Sequence, residues 1–156
     1  ANYWKQVIEI NNFQRQRICR KVDLYLEKNN YAKNISILGW AFKSNTNDSR
    51  ESSSIYIAYD FLLRGYEIII YDPKVSSNSM VKDLENINLL KGSQQIKNLH
   101  DKIKIYQTLP KVIKDISIFL VLTEWDEFKA LENVDNKKVI FDFRNFLDKK
   151  DNIIRF

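Results

Sequence analysis

The sequence has few residues that form disulfides or bind metal, with one cysteine and one histidine among 156 residues. It also has only three glycines. A single cysteine, Cys19, excludes an internal disulfide framework. The only histidine, His100, lies in a polar stretch without a second histidine or cysteine nearby. We therefore expect no metal site and no histidine-based triad, and we interpret His100 as a solvated loop residue. The apolar runs, such as residues 116–122, are too short to span a bilayer.

Charge of one sign is not concentrated anywhere in the chain. The net charge is +5, but lysines are interleaved with acidic residues, and no stretch resembles an aromatic and basic RNA-binding motif. We therefore expect neither a nucleic-acid partner nor a membrane partner. The lone cysteine and the lack of a visible secretory signal fit a cytoplasmic location. Because the chain starts at Ala1 and its only methionine is Met80, we also expect it to be a piece of a longer protein.

Residues 2–28 are predicted to form one long helix. They contain no proline or glycine, and their apolar residues recur at spacings of three and four. This apolar stripe consists of Trp4, Val7, Ile8, Ile18, Val22 and Tyr25. A helix of this length needs a surface that buries its stripe. We expect a second subunit to supply it, giving a homodimer or a higher homo-oligomer through residues 2–28.

The rest of the chain alternates predicted strands with predicted helices. A strand at residues 35–39, a helix at 51–63 that ends before Gly65, and a strand at 67–71 have the proportions of a βαβ unit. Further strands are predicted at residues 102–106, 116–123, 138–143 and 153–156, and short helices at 81–84, 109–114 and 127–131. This alternation predicts an α/β fold with a Rossmann-like, doubly wound and mostly parallel sheet. We divide the chain into the long helix, residues 1–30, and a Rossmann-like domain, residues 31–156.

Two cationic residues follow the first predicted strand, in a loop that leads to a helix N-terminus. Lys43 offers a compact ammonium and Arg50 a planar fork, and the helix end adds free N–H groups, a combination that suits phosphate oxygens. Only Gly39 remains of a G-x-G-x-x-G fingerprint, so the usual dinucleotide turn is not expected. The alternative is that both cations are solvated, with Arg50 paired to Asp48 or Glu51.

Arg144 ends the last strong strand and should lie on the same edge of the sheet. Together with Lys43 it would form a clamp for a diphosphate, and the alternative is an arginine bridged to Asp142 or Glu124. Trp125 either stacks on a base or packs in the core. In the same region, Asp72 closes the second strand of the βαβ unit, where it either binds a ribose or forms a turn.

Five segments are similar to signature stretches of one enzyme family, in the same order and at similar spacing. They are residues 3–17 (YWKQVIEINNFQRQR), 38–54 (LGWAFKSNTNDSRESSS), 71–75 (YDPKV), 122–129 (LTEWDEFK) and 141–145 (FDFRN). The chain thus resembles the UDP-glucose 6-dehydrogenases of the UDP-glucose/GDP-mannose dehydrogenase family, in their C-terminal UDP-binding domain and central helix. The resemblance covers nearly the whole chain.

The resemblance implies an oxidoreductase that converts UDP-glucose to UDP-glucuronate and reduces two NAD molecules, through a thiohemiacetal and a thioester. It also implies that the nucleophilic cysteine, its lysine and aspartate helpers and the NAD-binding glycines lie upstream of Ala1. We therefore expect no catalytic residue in this chain and no dehydrogenase activity from it alone. Cys19 lies in the central helix, which builds the dimer in this family, and we interpret it as a core or interface residue.

Individual site residues follow from the same motifs. The resemblance implies that Phe42, Lys43 and Arg144 contact the UDP-sugar. It implies that Arg50 reaches the NAD bound mainly by the missing N-terminal domain. Phe143 stands where the family usually has glycine, which places a phenyl ring beside Arg144.

Other functions stay open at this stage. Related dehydrogenases act on GDP-mannose or on UDP-N-acetylhexosamines, although the segments around Trp125 and Arg144 favour the UDP-glucose branch. A stand-alone nucleotide-binding or dimerisation module, with no catalytic partner, is a second alternative. A basic RNA-binding protein is a third, and no RNA-binding motif supports it.

Overall fold

A computed structural model describes residues 2–41, 43–50 and 52–155, with side chains from Asn12 onward. The helices are α1 (Asn2–Lys28), α2 (Ser53–Leu63), α3 (Ser77–Leu89) and α4 (Leu109–Asp115). The strands are β1 (Asn34–Leu38), β2 (Glu67–Tyr71), β3 (Ile103–Ile105), β4 (Ile118–Val121), β5 (Val139–Asp142) and β6 (Ile153–Ile154). Short 3₁₀ segments cover Gly92–Gln94, Leu99–Lys102 and Asp126–Asn133.

The six strands form one sheet in the order β3-β2-β1-β4-β5-β6, and every neighbouring pair is parallel. Leu38 at the end of β1 pairs with Tyr71 of β2 on one side and Val121 of β4 on the other. The chain reverses its winding direction between β1 and β4, which is the switch point of a doubly wound fold. The predicted Rossmann-like α/β fold is therefore confirmed.

The strands are apolar along nearly their whole length because both faces of the sheet are covered. On one face, Ile35 and Ile37 of β1 pack with residues of α1, α2 and α3. On the other face, Leu38 and Phe119 pack with residues of α4 and of the 3₁₀ segment Asp126–Asn133. Each fully buried side chain of this size contributes about 1.5–3 kcal/mol of hydrophobic stabilisation.

The C-terminal part of α1 belongs to the core of the domain. Cys19, Val22 and Leu26 follow one another at spacings of three and four and are at most 1% exposed. They pack in the same cluster as α2. Burial, together with the nearby Asp60, raises the pKa of the Cys19 thiol, which therefore stays protonated. Of the two interpretations of Cys19, the core position is the one observed.

Polar contacts fasten α1 to α2 and to the start of β2. The Arg64 guanidinium lies 2.7 Å from Asp60 and 3.3 Å from Asp23 of α1, and the Tyr66 hydroxyl donates to Asp23 at 2.6 Å.

None of the described helices is long and apolar enough to cross a membrane. Of the six stripe residues expected to face a second subunit, Val22 and Tyr25 instead pack in or against the core of the same chain, and Trp4, Val7 and Ile8 lie outside the described side chains. The dimer contact therefore stays a prediction.

Helix α3 corrects the sequence prediction, which placed only residues 81–84 in a helix within a polar, irregular segment. The helix runs over thirteen residues, Ser77–Leu89. It begins where the Ser76 hydroxyl accepts a hydrogen bond from the Ser79 N–H at 3.2 Å. Only Met80 and Leu84 of this helix are buried, so its apolar stripe is too sparse to be recognised from periodicity.

Candidate functional site

Four loops meet at the C-terminal edge of the sheet, after β1, β2, β4 and β5. Ligands of doubly wound folds bind outside this edge, in the crevice at the switch point. Here that crevice lies between the loop after β1 (residues 39–52) and the loop after β4 (residues 122–125). The sequence places its candidate residues in these loops, and the structure brings the four loops together.

Gly39 is the point where the chain leaves β1, and only glycine fits there. Its φ is +99°, and a Cβ atom added to it would lie 1.6 Å from Oγ1 of Thr123 in the loop after β4. Its carbonyl accepts a hydrogen bond from the Ser54 hydroxyl of α2 at 2.7 Å. The two loops that flank the crevice are thus in van der Waals contact at their base.

The Asp72 carboxylate joins the loops that follow β1 and β2 through hydrogen bonds, and we call such a buried, backbone-bonded carboxylate a clasp. Its carboxylate is 7% exposed. One oxygen accepts from the backbone N–H groups of Trp40 and Ala41 at 2.7 and 3.0 Å. The other accepts from those of Lys74 and Val75 at 2.8 and 2.9 Å. Of its two predicted roles, the structure shows the turn former, since both oxygens are engaged by the backbone.

Asp83 of α3 holds the outer part of the loop after β1. Its Oδ2 accepts from the Trp40 indole N–H at 2.9 Å and from the Ser49 hydroxyl at 2.8 Å. Sequence reasoning missed this residue because it lies in the helix that was predicted as mostly irregular. A single aspartate in a polar stretch carries no signal that distinguishes it from a solvated carboxylate.

The N-terminus of α2 is capped by Ser52. The Ser52 hydroxyl accepts from the Ser54 N–H at 3.3 Å and donates to the Ala41 carbonyl at 3.4 Å. The helix end therefore lies directly under the loop that carries Lys43 and Arg50. This helix end carries a partial positive charge.

The two cations of this loop are both exposed. Arg50 forms a two-point pair with Asp48, with Nε–Oδ1 and Nη2–Oδ2 distances of 3.0 Å, and its side chain is 87% exposed. The Arg50 guanidinium lowers the pKa of Asp48 from 3.8 to about 2. Pairing with Asp48 was one of the two predicted alternatives. Lys43 is exposed, and Phe42 lies outside the described residues.

Asp142 gives the loop after β5 a clasp of the same kind as Asp72. The carboxylate is fully buried and accepts from the backbone N–H groups of Arg144 at 3.1 Å and of Phe146 and Leu147 at 2.8 Å each. The Arg155 guanidinium lies 3.9 Å from it. Sequence reasoning considered Asp142 only as an ion-pair partner of Arg144, whereas its contact is with the Arg144 backbone.

Arg144 projects from this clasped loop to the rim of the crevice. Its Nε donates to Oε1 of Glu124 at 3.1 Å, and the two side chains are 52% and 44% exposed. Of the alternatives considered for Arg144, the bridge to Glu124 is therefore present. Trp125 is 7% exposed and packs in the same core cluster as Phe128, which agrees with its packing alternative.

Phe143 packs onto the core beneath the rim. Its ring is stacked on that of Phe141, with centroids 6.4 Å apart and an interplanar angle of 13°. Phe141 in turn contacts Tyr25 of α1 edge to face at 5.4 Å. The ring that the resemblance places beside Arg144 thus packs against the cluster in which β5 contacts α1.

Among the described residues, no group of three or more His, Cys, Asp and Glu side chains could hold a metal ion. The site therefore consists of exposed cations on a scaffold of backbone hydrogen bonds. Such an arrangement can bind an anionic ligand.

Comparison with protein families gives one match. Residues 36–149 match the family described as "UDP-glucose/GDP-mannose dehydrogenase family, UDP binding domain". The matched range starts in β1 and ends after the loop that carries Arg144, so it contains all four loops of the crevice.

Curated proteins similar to this chain include UDP-glucose 6-dehydrogenases of animals and plants. The one from Caenorhabditis elegans is 35% identical over 96% of this chain and 31% of its own length. The one from Gallus gallus is 37% identical over 95% of this chain and 30% of its own length. The chain thus spans about a third of the length of the curated relatives that it matches.

Solved structures of three dehydrogenase types share the fold. A UDP-glucose dehydrogenase from Pyrobaculum islandicum aligns with a TM-score of 0.63 and 23% identity, over 91% of this chain and 28% of that one. A UDP-N-acetyl-mannosamine dehydrogenase from Staphylococcus aureus aligns with a TM-score of 0.62 and 21% identity, over 95% and 31%. A GDP-mannose dehydrogenase from Pseudomonas aeruginosa has a TM-score of 0.58 and 19% identity, over 80% and 28%.

Proposed function

The chain belongs to the UDP-glucose/GDP-mannose dehydrogenase family, and on that premise we propose that it is the nucleotide-sugar-binding part of an NAD-dependent UDP-glucose 6-dehydrogenase. The curated relatives named above carry that activity in their names, which supports this branch of the family. The whole protein would oxidise the C6 alcohol of UDP-glucose to the carboxylate of UDP-glucuronate. Two hydrides leave the carbon, one to each of two NAD molecules, and water supplies the second carboxylate oxygen.

The observation that supports the proposal is that Lys43 and Arg144 lie in two loops at the same edge of the sheet. Lys43 follows β1 and Arg144 follows β5, with β4 between them. Two strand spacings separate the loop bases by about 10 Å. Flexible side chains of this length can close on a diphosphate lying between the loops, and both groups form charge-assisted hydrogen bonds with phosphate oxygens. We assign Phe42 to the same ligand from its motif alone.

NAD is proposed as the cofactor, acting as hydride acceptor, and Arg50 is the residue of this chain that would reach it. The Arg50 side chain is 87% exposed and paired only with Asp48, two positions away. Such an exposed, sequence-local pair contributes little to stability, so Arg50 can exchange this partner for a phosphate of the cofactor. The remaining contacts to NAD are assigned to the part of the protein outside this chain.

Calorimetric titration of this chain with UDP, UDP-glucose and GDP tests the proposal. We expect UDP and UDP-glucose to bind weakly, GDP not to bind, and Arg144→Ala to bind UDP at least tenfold more weakly than the wild type. A matched control is Lys114→Ala, an exposed cation at the end of α4, which should bind UDP like the wild type. Equal binding of UDP and GDP, or unchanged binding by Arg144→Ala, would contradict the assignment.

We propose that the catalytic groups lie in the part of the protein outside this chain. We also propose that the whole protein is cytoplasmic. The only cysteine, Cys19, is buried in the core, where it cannot act as the nucleophile of a covalent step. We therefore expect no NADH from the purified chain with UDP-glucose and NAD. Formation of NADH at any rate above the enzyme-free control would refute this assignment.

We also propose that residues 2–28 form the dimer interface of the whole protein, with residues 31–156 as the nucleotide-sugar-binding domain. Phe13 and Leu24 of α1 are 64% and 55% exposed, which leaves apolar surface on this helix for a second copy. Sedimentation equilibrium at high micromolar concentration should give twice the mass of one chain. The mass of a single chain at that concentration would exclude the dimer.

A related dehydrogenase that acts on GDP-mannose or on a UDP-N-acetylhexosamine is the second candidate. Structures of both types align with this chain nearly as well as that of a UDP-glucose dehydrogenase. Comparison of kcat/KM for the three nucleotide sugars with the complete protein separates these candidates. An upstream reading frame without a dinucleotide-binding domain would instead favour a non-catalytic nucleotide-binding or dimerisation module.

A further inference from the structure

Arg144 and Glu124 are brought together by the sheet rather than by the local sequence. They are twenty positions apart. Val121 of β4 pairs in register with Asp142 of β5, so the two loops leave the sheet side by side. The contact between the Arg144 Nε and the Glu124 Oε1 is a single hydrogen bond of 3.1 Å.

The geometry of this contact leaves the far edge of the guanidinium open. Among the described residues, neither Nη atom of Arg144 has a hydrogen-bond partner, because only its Nε is engaged. Arg50 differs, since Asp48 occupies both its Nε and its Nη2. A guanidinium held by Nε alone still presents both Nη groups to a planar or tetrahedral anion.

The backbone of Arg144 is also held, so the side chain carries the remaining freedom. Asp142 is fully buried and accepts from the N–H of Arg144, which fixes where the side chain starts. Glu124 then holds the Nε of its guanidinium. An arginine ordered before binding loses less conformational entropy when a ligand arrives.

We propose that Glu124 is a positioning residue that aims Arg144 at the diphosphate of the nucleotide sugar. This inference rests on the proposed function, because it takes the anion bound by Arg144 to be that diphosphate. Glu124 acts through Arg144 and does not touch the ligand.

A carboxylate near a diphosphate has an opposing effect, because it repels the ligand while it orders the arginine. Replacing Glu124 by Gln separates the two effects. Gln keeps an oxygen that can accept from Nε and removes the negative charge, whereas Ala removes both. If positioning dominates, Ala weakens binding and Gln does not.

The test is a double-mutant cycle on UDP binding, measured by calorimetry with wild type, Glu124→Ala, Glu124→Gln, Arg144→Ala and the Glu124→Ala/Arg144→Ala double variant. We expect Glu124→Ala to weaken UDP binding by about five- to tenfold, the size of one typical hydrogen bond. Glu124→Gln should bind within about twofold of wild type, or more tightly. In the Arg144→Ala background, Glu124→Ala should have no further effect, because its influence passes through the arginine.

Thermal unfolding of the same variants is the control for a merely structural role. Both side chains are about half exposed, so the unfolding midpoints should agree, and a change in UDP affinity then reports on the site. If Glu124→Ala and Glu124→Gln both bind UDP more tightly, the carboxylate competes with the ligand and the inference is wrong.

Equal affinity of wild type and Glu124→Ala would also overturn the inference, while the loss of binding in Arg144→Ala would leave the proposed function standing. Failure of the wild-type chain to bind UDP at all would overturn the proposed half-site, and the inference with it. A measurable arm independent of UDP is the Nε–H resonance of Arg144, which should become mobile on the nanosecond timescale in Glu124→Ala and stay ordered in Glu124→Gln.

Discussion

The loops around the crevice carry two pairs of carboxylates with different roles, one pair bonded to the backbone and the other to arginine side chains. Asp72 and Asp142, at its floor, are at most 7% exposed and accept hydrogen bonds from backbone N–H groups. Asp48 and Glu124, at its rim, are at least 40% exposed and pair with arginine side chains. The floor carboxylates fix the path of the chain, and the rim carboxylates hold charged groups that can change partner.

Burial decides this difference. A buried carboxylate has lost its hydrogen bonds to water and is stable only while backbone N–H donors take the place of that water. If the carboxylate is removed, the same donors are left buried without an acceptor. An exposed pair gains little because water competes for both charges. We therefore expect substitutions at the floor to unfold the domain and substitutions at the rim to change ligand binding alone.

The largest effect is expected from Asp72→Ala. The change leaves four backbone N–H groups of two loops without their acceptor, and we expect a loss of about 3–5 kcal/mol in the free energy of unfolding. Urea denaturation followed by circular dichroism measures it. The matched control is Asp126→Ala, at an exposed aspartate, which should unfold like the wild type.

Asp72→Asn tests whether the charge or the shape of Asp72 matters. Asn keeps one acceptor oxygen but turns an amide N–H₂ toward two backbone N–H groups, so we expect a loss between those of the Ala variant and the control. Wild-type stability of Asp72→Ala would refute the assignment of Asp72 as a clasp, and with it the contrast between floor and rim.

The next largest effect is expected from Gly39→Ala, which tests whether the floor also depends on shape. A Cβ atom there would lie 1.6 Å from Thr123 Oγ1, on a residue with φ of +99°, so we expect a loss of about 2–4 kcal/mol from strain and overpacking together. Gly65→Ala is the matched control, because its φ is +87° but no atom lies within 4 Å of an added Cβ.

Backbone strain alone should make Gly65→Ala cost about 1–2 kcal/mol. The difference between the two glycine variants, from chemical denaturation, thus isolates the close approach of the loops after β1 and β4. Equal losses in both variants would mean that the Thr123 contact relaxes without cost.

Most of the fold could be predicted from the sequence because the segments with the clearest hydrophobic patterns are also the segments that are most buried. β2 was predicted at residues 67–71 and observed as Glu67–Tyr71, and α1 was predicted and observed over residues 2–28. Helix α3 was largely missed because it buries only Met80 and Leu84. Its role in holding the loop after β1 through Asp83 was therefore missed as well.

The site was predicted less completely than the fold because it depends on which donor faces which acceptor. The motifs predicted Lys43, Arg50 and Arg144 to lie in loops at the C-terminal edge of the sheet, where the structure has them, and the pairs with Asp48 and Glu124 were among the alternatives considered. Spacing could not show that Asp142 serves the backbone of Arg144 rather than its side chain. That choice is made by the path of the loop, which is a tertiary property.

The smallest effect is expected at the rim, in the titration of Asp48. The Arg50 guanidinium lowers the pKa of Asp48 from 3.8 to about 2, so the pair stabilises the folded chain above the unfolded pKa, and this contribution is lost as the pH falls through about 2. Carboxyl carbon NMR should give a midpoint near 2 in the wild type and a higher one in Arg50→Ala, which keeps only the backbone hydrogen bond from residue 50 to Asp48. Because the Arg50 side chain is 87% exposed and that of Asp48 40% exposed, solvent screens the pair, so Arg50→Ala should lower the unfolding midpoint at neutral pH only slightly. High salt should raise the wild-type pKa of Asp48. An Asp48 midpoint that is the same in the wild type and in Arg50→Ala would show that the pair is not formed in solution, and Arg50 would then be free for a ligand without any exchange of partner.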